Sequence, residues 1–124
     1  MSLSAALRRQ LIAAAREFNC GRYFEAHEVL EEALDDVPED LWELFIGLIQ
    51  IAVGYHKLSQ GLLRGARAML ERGSAKVASF PADAAALNLE ALRKRVQDDL
   101  EALRLGRLEL AALGRQPPRL QPLP

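Results

Sequence analysis

Apolar residues recur at helical spacing along almost the whole chain, and nowhere does the two-residue alternation of a half-buried strand replace it. That periodicity restricts the fold to packed helices. A first helix is expected near residues 3–18, with Leu3, Leu7, Leu11, Ala14 and Phe18 on one stripe and Asn19 and Gly21 as stop signals. A second runs from about Arg22 to Asp36 and ends before Pro38. A third begins near Glu39 or Asp40 and continues to Gln60, with Gly61 closing it. A fourth covers roughly 62–72 before Gly73, and the Phe80-Pro81 pair breaks the pattern. A fifth starts at Asn88, a good N-cap, and runs through Leu103 or as far as Leu113. The sequence shows no evident internal repeat. The expectation is an all-α, compact bundle of about five helices, a single domain over residues 1–113, followed by a Pro-rich tail, 114–124, that is extended or disordered.

Composition narrows the function classes. With 124 residues, 50% of them hydrophobic and 27% charged, the chain can build one core without a disulfide or metal staple. The lone thiol, Cys20, excludes an internal disulfide and Cys-rich zinc modules, and it fits a reducing cytosol. The most apolar run, Leu44 to Val53, is about half the ~20 residues of a membrane span, and no secretory leader is visible. A cytoplasmic protein with no membrane association is expected. A net charge of −1 and few aromatics argue against nucleic acid as a partner.

That small net charge conceals segregation. Residues 22–43 carry −8, residues 44–80 carry +4, and both ends are mildly basic. Like charges at i,i+4, such as Glu28 and Glu32, disfavour a helix, and Asp35 and Asp36 stand near its C-terminal end, where the macrodipole repels anions. Either the basic stretch bearing Lys57, Arg64, Arg67, Arg72 and Lys76 or a bound cation should offset this.

At ~100° per residue, Tyr23, Ala26, Val29, Leu30, Ala33, Leu34 and Val37 share one arc of the second helix, its core face. Glu25, Glu28 and Glu32 lie opposite, and His27 and Glu31 sit at the border. Phe24 stands among the acids, which suggests that something covers part of that face. The third helix is apolar nearly all round, apart from a stripe of Glu43, Gly47, Gln50, Gly54 and Lys57. The two glycines allow close approach of another backbone or a ligand beside Gln50. His56 projects between Phe45, Ile49 and Ala52, and a buried imidazole needs a partner, for which the acidic helix is the obvious source.

Inward Glu and His side chains on neighbouring helices are how bundles hold metals. His27, Glu31 and His56 could supply three ligands and leave a position open to activate water for hydrolysis. The plainer accounts stand beside this: a solvated acidic face, a satisfied core histidine, tight helix packing at the glycines, and core or interface roles for Tyr23 and Trp42. No nucleophile elbow surrounds Ser59 or Ser74, and there is no phosphate-binding glycine loop.

Two segments, Phe18-Asn-Cys-Gly-Arg-Tyr-Phe-Glu-Ala-His-Glu-Val-Leu-Glu-Glu32 and Gly47-Leu-Ile-Gln-Ile-Ala52 followed by His56, Gly61 and Gly65-Ala66, resemble the small bacterial and archaeal family called domain of unknown function 309. The likeness covers roughly residues 10–105. It implies an all-α fold, and members are sometimes labelled predicted metal-dependent hydrolases. Carried over by position, the family's polar pattern falls on Glu25, His27, Glu28, Glu31, Gln50 and His56. The chain departs from it at Leu34, where Trp is usual, at Ile46, where a polar residue is common, and at Leu62, where Gly-Asn is typical.

Two functions follow as expectations. In one, His27, Glu31 and His56 bind a divalent metal (zinc, manganese or similar), with Glu28 or Glu25 as a further ligand or general base for hydrolysis of an unspecified small molecule. In the other, the protein is a non-enzymatic, homo-oligomeric interaction module without a cofactor, and the Glu/His cluster, Gln50 included, is a structural hydrogen-bond network.

Overall fold

A computed structural model describes residues 3–108 and 110–124. The fold is all-α: α1 (Ala5–Asn19), α2 (Tyr23–Ala33), α3 (Glu39–Ser59), α4 (Leu63–Ala78), α5 (Leu89–Arg104) and a short α6 (Leu110–Arg115). Single 3-10 turns follow α2 at Leu34–Asp36 and precede α5 at Ala84–Ala86. The start signals are local. Ser4 accepts the Leu7 N–H at the head of α1, and Asn88 accepts the Ala91 N–H at the head of α5, both at 3.1 Å. Pro38 opens α3, whose first turn holds Glu39 and Asp40, where the helix dipole favours acids.

The fifth helix ends at Arg104, in line with the nearer of its two expected ends, where Gly106 turns the chain with φ +67°, and α6 is separate. One expectation is corrected. The fourth helix does not stop at Gly73 but continues to Ala78. Gly73 is there for contact. A Cβ on it would lie 2.6 Å from the Gly47 carbonyl oxygen and 2.9 Å from the Ile51 nitrogen. The missing side chains of Gly47 and Gly73 let α3 and α4 meet backbone to backbone, which supplies the close approach that the glycine stripe implied.

A repeat that the sequence does not make evident runs through the architecture. Gly21 and Gly61, forty positions apart, both adopt positive φ (+79° and +76°) and close the same turn. Each glycine donates its N–H three residues back, to Phe18 or Leu58, and the next residue donates five back, to Glu17 or Lys57. Gly106 and Arg107 repeat these bonds with Leu103 and Ala102. Counting back from each glycine, the core positions coincide: Leu7, Leu11, Ala14, Ala15 and Phe18 in α1 match Gly47, Ile51, Gly54, Tyr55 and Leu58 in α3, all buried. In α5 the positions of Leu7, Leu11 and Ala14 fall to the buried Leu92, Val96 and Asp99. The molecule is thus built from tandem helix hairpins, the unit of helical repeat arrays.

The Pro-rich segment after α6 is extended and held. The Asn19 side-chain amide pairs with the backbone of Leu120 in both directions, donating to its carbonyl at 3.0 Å and accepting its N–H at 2.7 Å. Leu120 is only 3% exposed. Further along, Asn88 donates to the Gln121 carbonyl and Leu123 to the Ala86 carbonyl.

Among the described residues, no helix is long and apolar enough to cross a membrane. Substituting Gly73→Ala should force α3 and α4 apart and lower stability by about 1–3 kcal/mol, as overpacking does. Urea denaturation of the variant measures this; an unchanged midpoint contradicts the tight contact.

Candidate functional site

The α2–α3 hairpin boundary brings together some of the expected site residues. His27 donates from Nδ1 to the Phe24 carbonyl at 2.5 Å, which fixes the tautomer and leaves Nε2 facing Glu31 Oε1 at 3.4 Å. The Phe24 ring packs on both imidazoles, with its centroid 4.8 Å from that of His27 and 5.2 Å from that of His56. Phe24 is thus partly covered, by the His56 ring of α3, and stays 45% exposed. His56 is half-buried rather than sealed in an apolar wall. Its ring makes no hydrogen bond or ion pair among the described residues, because Phe24, not a carboxylate, lies against it.

The remaining candidates stand apart. Glu25 reaches Arg22 at 3.9 Å, and Glu28 is exposed without an ion pair. Gln50 keeps its carboxamide oxygen buried with no hydrogen-bond donor among the described residues. Among the described residues, no three His, Cys, Asp or Glu side chains gather closely enough to hold a metal ion.

The repeat gives the His27–Glu31 pair a physical context. Its counterparts forty positions on are Arg67 and Glu71, which form the same i,i+4 pair at 2.7 Å. A histidine therefore occupies a position that the second hairpin gives to a permanent cation. The same comparison inverts the charge at two outer positions. Glu32 and Asp36 correspond to Arg72 and Lys76, and the uncharged Phe24 corresponds to Arg64.

The basic stretch does not neutralise the acidic block within the chain. Among the described residues, Glu28, Glu32, Asp35, Asp36, Glu39, Asp40 and Glu43 make no ion pair, and neither do Arg64, Arg72 and Lys76. The acidic surface also carries Trp42, 39% exposed at the start of α3.

A second polar centre lies deeper. Asp99 on α5 is 6% exposed and accepts the Tyr55 hydroxyl at 2.5 Å and Arg95 Nε at 3.0 Å. Arg95 also donates to the Gln116 carbonyl at 2.6 Å. Tyr55 stacks in a cluster with Phe18 and Tyr23, ring centroids 5.2–5.9 Å apart. Burial first, and then the Asp99 charge, holds the Tyr55 phenol well above its ordinary range, and burial pushes Tyr23 up to about 12. The carboxylate sits at the repeat position of Ala14 and Gly54, so it is a buried charge answered by two donors. The Arg95/Asp99 spacing was a legible i,i+4 pair; that Tyr55 would complete it was not.

Residues 11–69 match the family model described as Domain of unknown function (DUF309). That segment is similar to the family's model. The resemblance read from the two motifs is thereby shown over both turn-flanked segments, from Leu11 in α1 to Met69 in α4, which include every expected Glu/His position and Gln50. The Asp99–Arg95 centre and the extended segment that follows α6 lie beyond the DUF309 match. No curated protein matches the chain.

Removing the Tyr55 hydroxyl leaves a buried carboxylate one donor short, so Tyr55→Phe should cost about 1–3 kcal/mol by urea denaturation. Both phenols keep their protons to higher pH folded than unfolded. The unfolded chain therefore binds fewer protons above pH 10, and stability should fall as pH rises from 10 towards about 12. Urea midpoints across that range follow the decline, which Tyr23→Phe should flatten.

Proposed function

We propose that this protein is a non-enzymatic interaction module whose α2 face docks on a second copy of the chain. The observation that carries the reading is an acidic face on which Glu28 and Glu32, among the described residues, have no ion pair, beside an exposed aromatic, Phe24. Such a face repels itself and gains from a basic partner. The chain itself offers one. Arg64, Arg72 and Lys76 lie on α4 at the repeat positions of Phe24, Glu32 and Asp36, so the α2 face of one copy and the α4 face of another are matched in scaffold and opposite in charge. In a two-fold dimer that match is made twice. Phe24, flanked by His27 and His56, would be the desolvated anchor within a charged rim. A cytosolic setting suits this reading, since Cys20 is a free, exposed thiol.

The metal-dependent hydrolase implied by the resemblance has less support. His27 Nε2 and Glu31 offer two facing donors, but the donor set of three does not gather around them, and His56 is engaged with Phe24. The residues present do not fit a three-ligand centre, so no catalytic step is derived through one.

Sedimentation at rising salt tests the proposal. Dimers are expected at low ionic strength and should weaken beyond 0.1 M, where exposed charges are screened within ~10 Å. The double variant Arg64→Glu/Arg72→Glu should be monomeric, and mixing it with Glu28→Lys/Glu32→Lys should restore a pair. Monomers throughout, at low salt and high protein concentration, contradict it. Metal analysis of untagged protein separates the two functions: a stoichiometric metal lost in His27→Ala would favour the hydrolase instead.

A further inference from the structure

The segment after α6 is bound in the manner of a peptide ligand. Burial alternates from 118 to 121, with Pro118 and Leu120 buried and Arg119 and Gln121 exposed, and Pro122 beyond them is exposed. Main-chain groups of Leu120, Gln121 and Leu123 are each taken by a group of the helical body: the Asn19 amide, the Asn88 N–H and the Ala86 carbonyl. Leu87 and Pro122 form an isolated antiparallel bridge. Main-chain bonds for hold and alternate side-chain pockets for selectivity are the physics of extended-peptide recognition.

The receiving groove is specialised. Asn19 acts as a fragment of strand edge, offering one donor and one acceptor to a single residue. On the other wall, Ala85 and Ala86 both hold positive φ (56° and 55°), a conformation disfavoured for side-chain-bearing residues and retained where structure or function demands it. That turn presents the Ala86 carbonyl to Leu123. Open depressions flank the segment. A cavity of about 340 Å³ lined by Asn19, Cys20, Tyr23, Ser59, Leu113 and Pro117 lies at one end. Another of about 440 Å³, lined by Pro81, Asp83, Ala85, Leu123 and Pro124, lies at the other.

We infer that this groove is a binding site for an extended, leucine-anchored, proline-flanked peptide supplied in trans, and that residues 118–123 occupy it in cis as a displaceable stand-in. The ligand pattern read from the occupant is Pro-x-Leu-x-Pro: the prolines lower the entropy lost on binding, and the leucine fills the buried pocket. A tethered occupant competes at roughly millimolar effective concentration, so the site is closed to weak ligands and open to strong ones. The site is separate from the α2 face and does not depend on the dimer proposed there.

The test uses the full-length chain and a fluorescent synthetic peptide of residues 115–124. Leu120→Asp should eject the resident segment, and the variant should bind the peptide at least tenfold more tightly than the wild type does. Adding Asn19→Ala to Leu120→Asp should abolish that binding. A folded Leu120→Asp protein that ignores the peptide overturns the inference. Failure of that variant to fold overturns it too, because the segment would then be part of the core. An independent reading comes from Asn19→Ala alone: trypsin cleavage after Arg119 should accelerate at least tenfold while the helical melt is little changed. Loss of the fold together with the segment contradicts a displaceable occupant.

Discussion

Contact between the backbones of α3 and α4 is the constraint around which the molecule is organised. With no side chain on Gly47 or Gly73, the two helices approach until any added methyl group would meet a main-chain carbonyl or nitrogen. Such proximity leaves α3 enclosed on nearly every side, and its burial of Leu44, Phe45, Leu48, Ile51, Tyr55 and Leu58 forms the centre of the core. The neighbouring hairpins then need only cover what α3 still exposes. Each glycine costs some intrinsic helix stability, near 1 kcal/mol against Ala, and close packing offsets it.

One scaffold used repeatedly with different surfaces explains where chemistry can reside. The hairpins share their turn and part of their buried register, so a residue placed there must suit an enclosed site. Outer positions are free of that demand. At equivalent places the first hairpin offers acids, an aromatic ring and a histidine, and the second offers arginines and a lysine. Asp99 is the exception that proves how strict the inner positions are: a carboxylate in a slot otherwise held by Ala and Gly is tolerated because Tyr55 and Arg95 both donate to it.

Much of the fold was legible in the sequence because helical periodicity and capping act locally. Asn88, Pro38, Gly21 and Gly61 mark boundaries through the geometry of a few adjacent residues. Gly73 misled because its role is set by Gly47 and Ile51, distant in sequence, and a glycine that stops a helix reads the same as one that admits a neighbour. The repeat was hidden for a related reason. Aligned at forty residues, the two hairpins share Gln10/Gln50, Gly21/Gly61, Ala26/Ala66, Leu30/Leu70 and Glu31/Glu71, while some other positions keep only their burial (Leu11/Ile51, Phe18/Leu58) and others not even that (Tyr23/Leu63). At the candidate site, the border position of His27 and Glu31 and the anomaly of Phe24 were readable from helical angles. The contact of Phe24 with His56, and the Tyr55–Asp99 bond across 44 residues, depend on how helices cross, which periodicity does not encode.

Arrays of hairpins are held mainly by contacts between neighbours, and here the extensive helix contacts do join elements consecutive along the chain. Such an object would melt from its ends, one unit at a time. The pairing of Asn19 with Leu120, 101 residues apart, changes that topology. It lays the segment that leaves the last helix back against the first hairpin, so the two ends of the row are joined through one side chain that can let go without unmaking the helices between them.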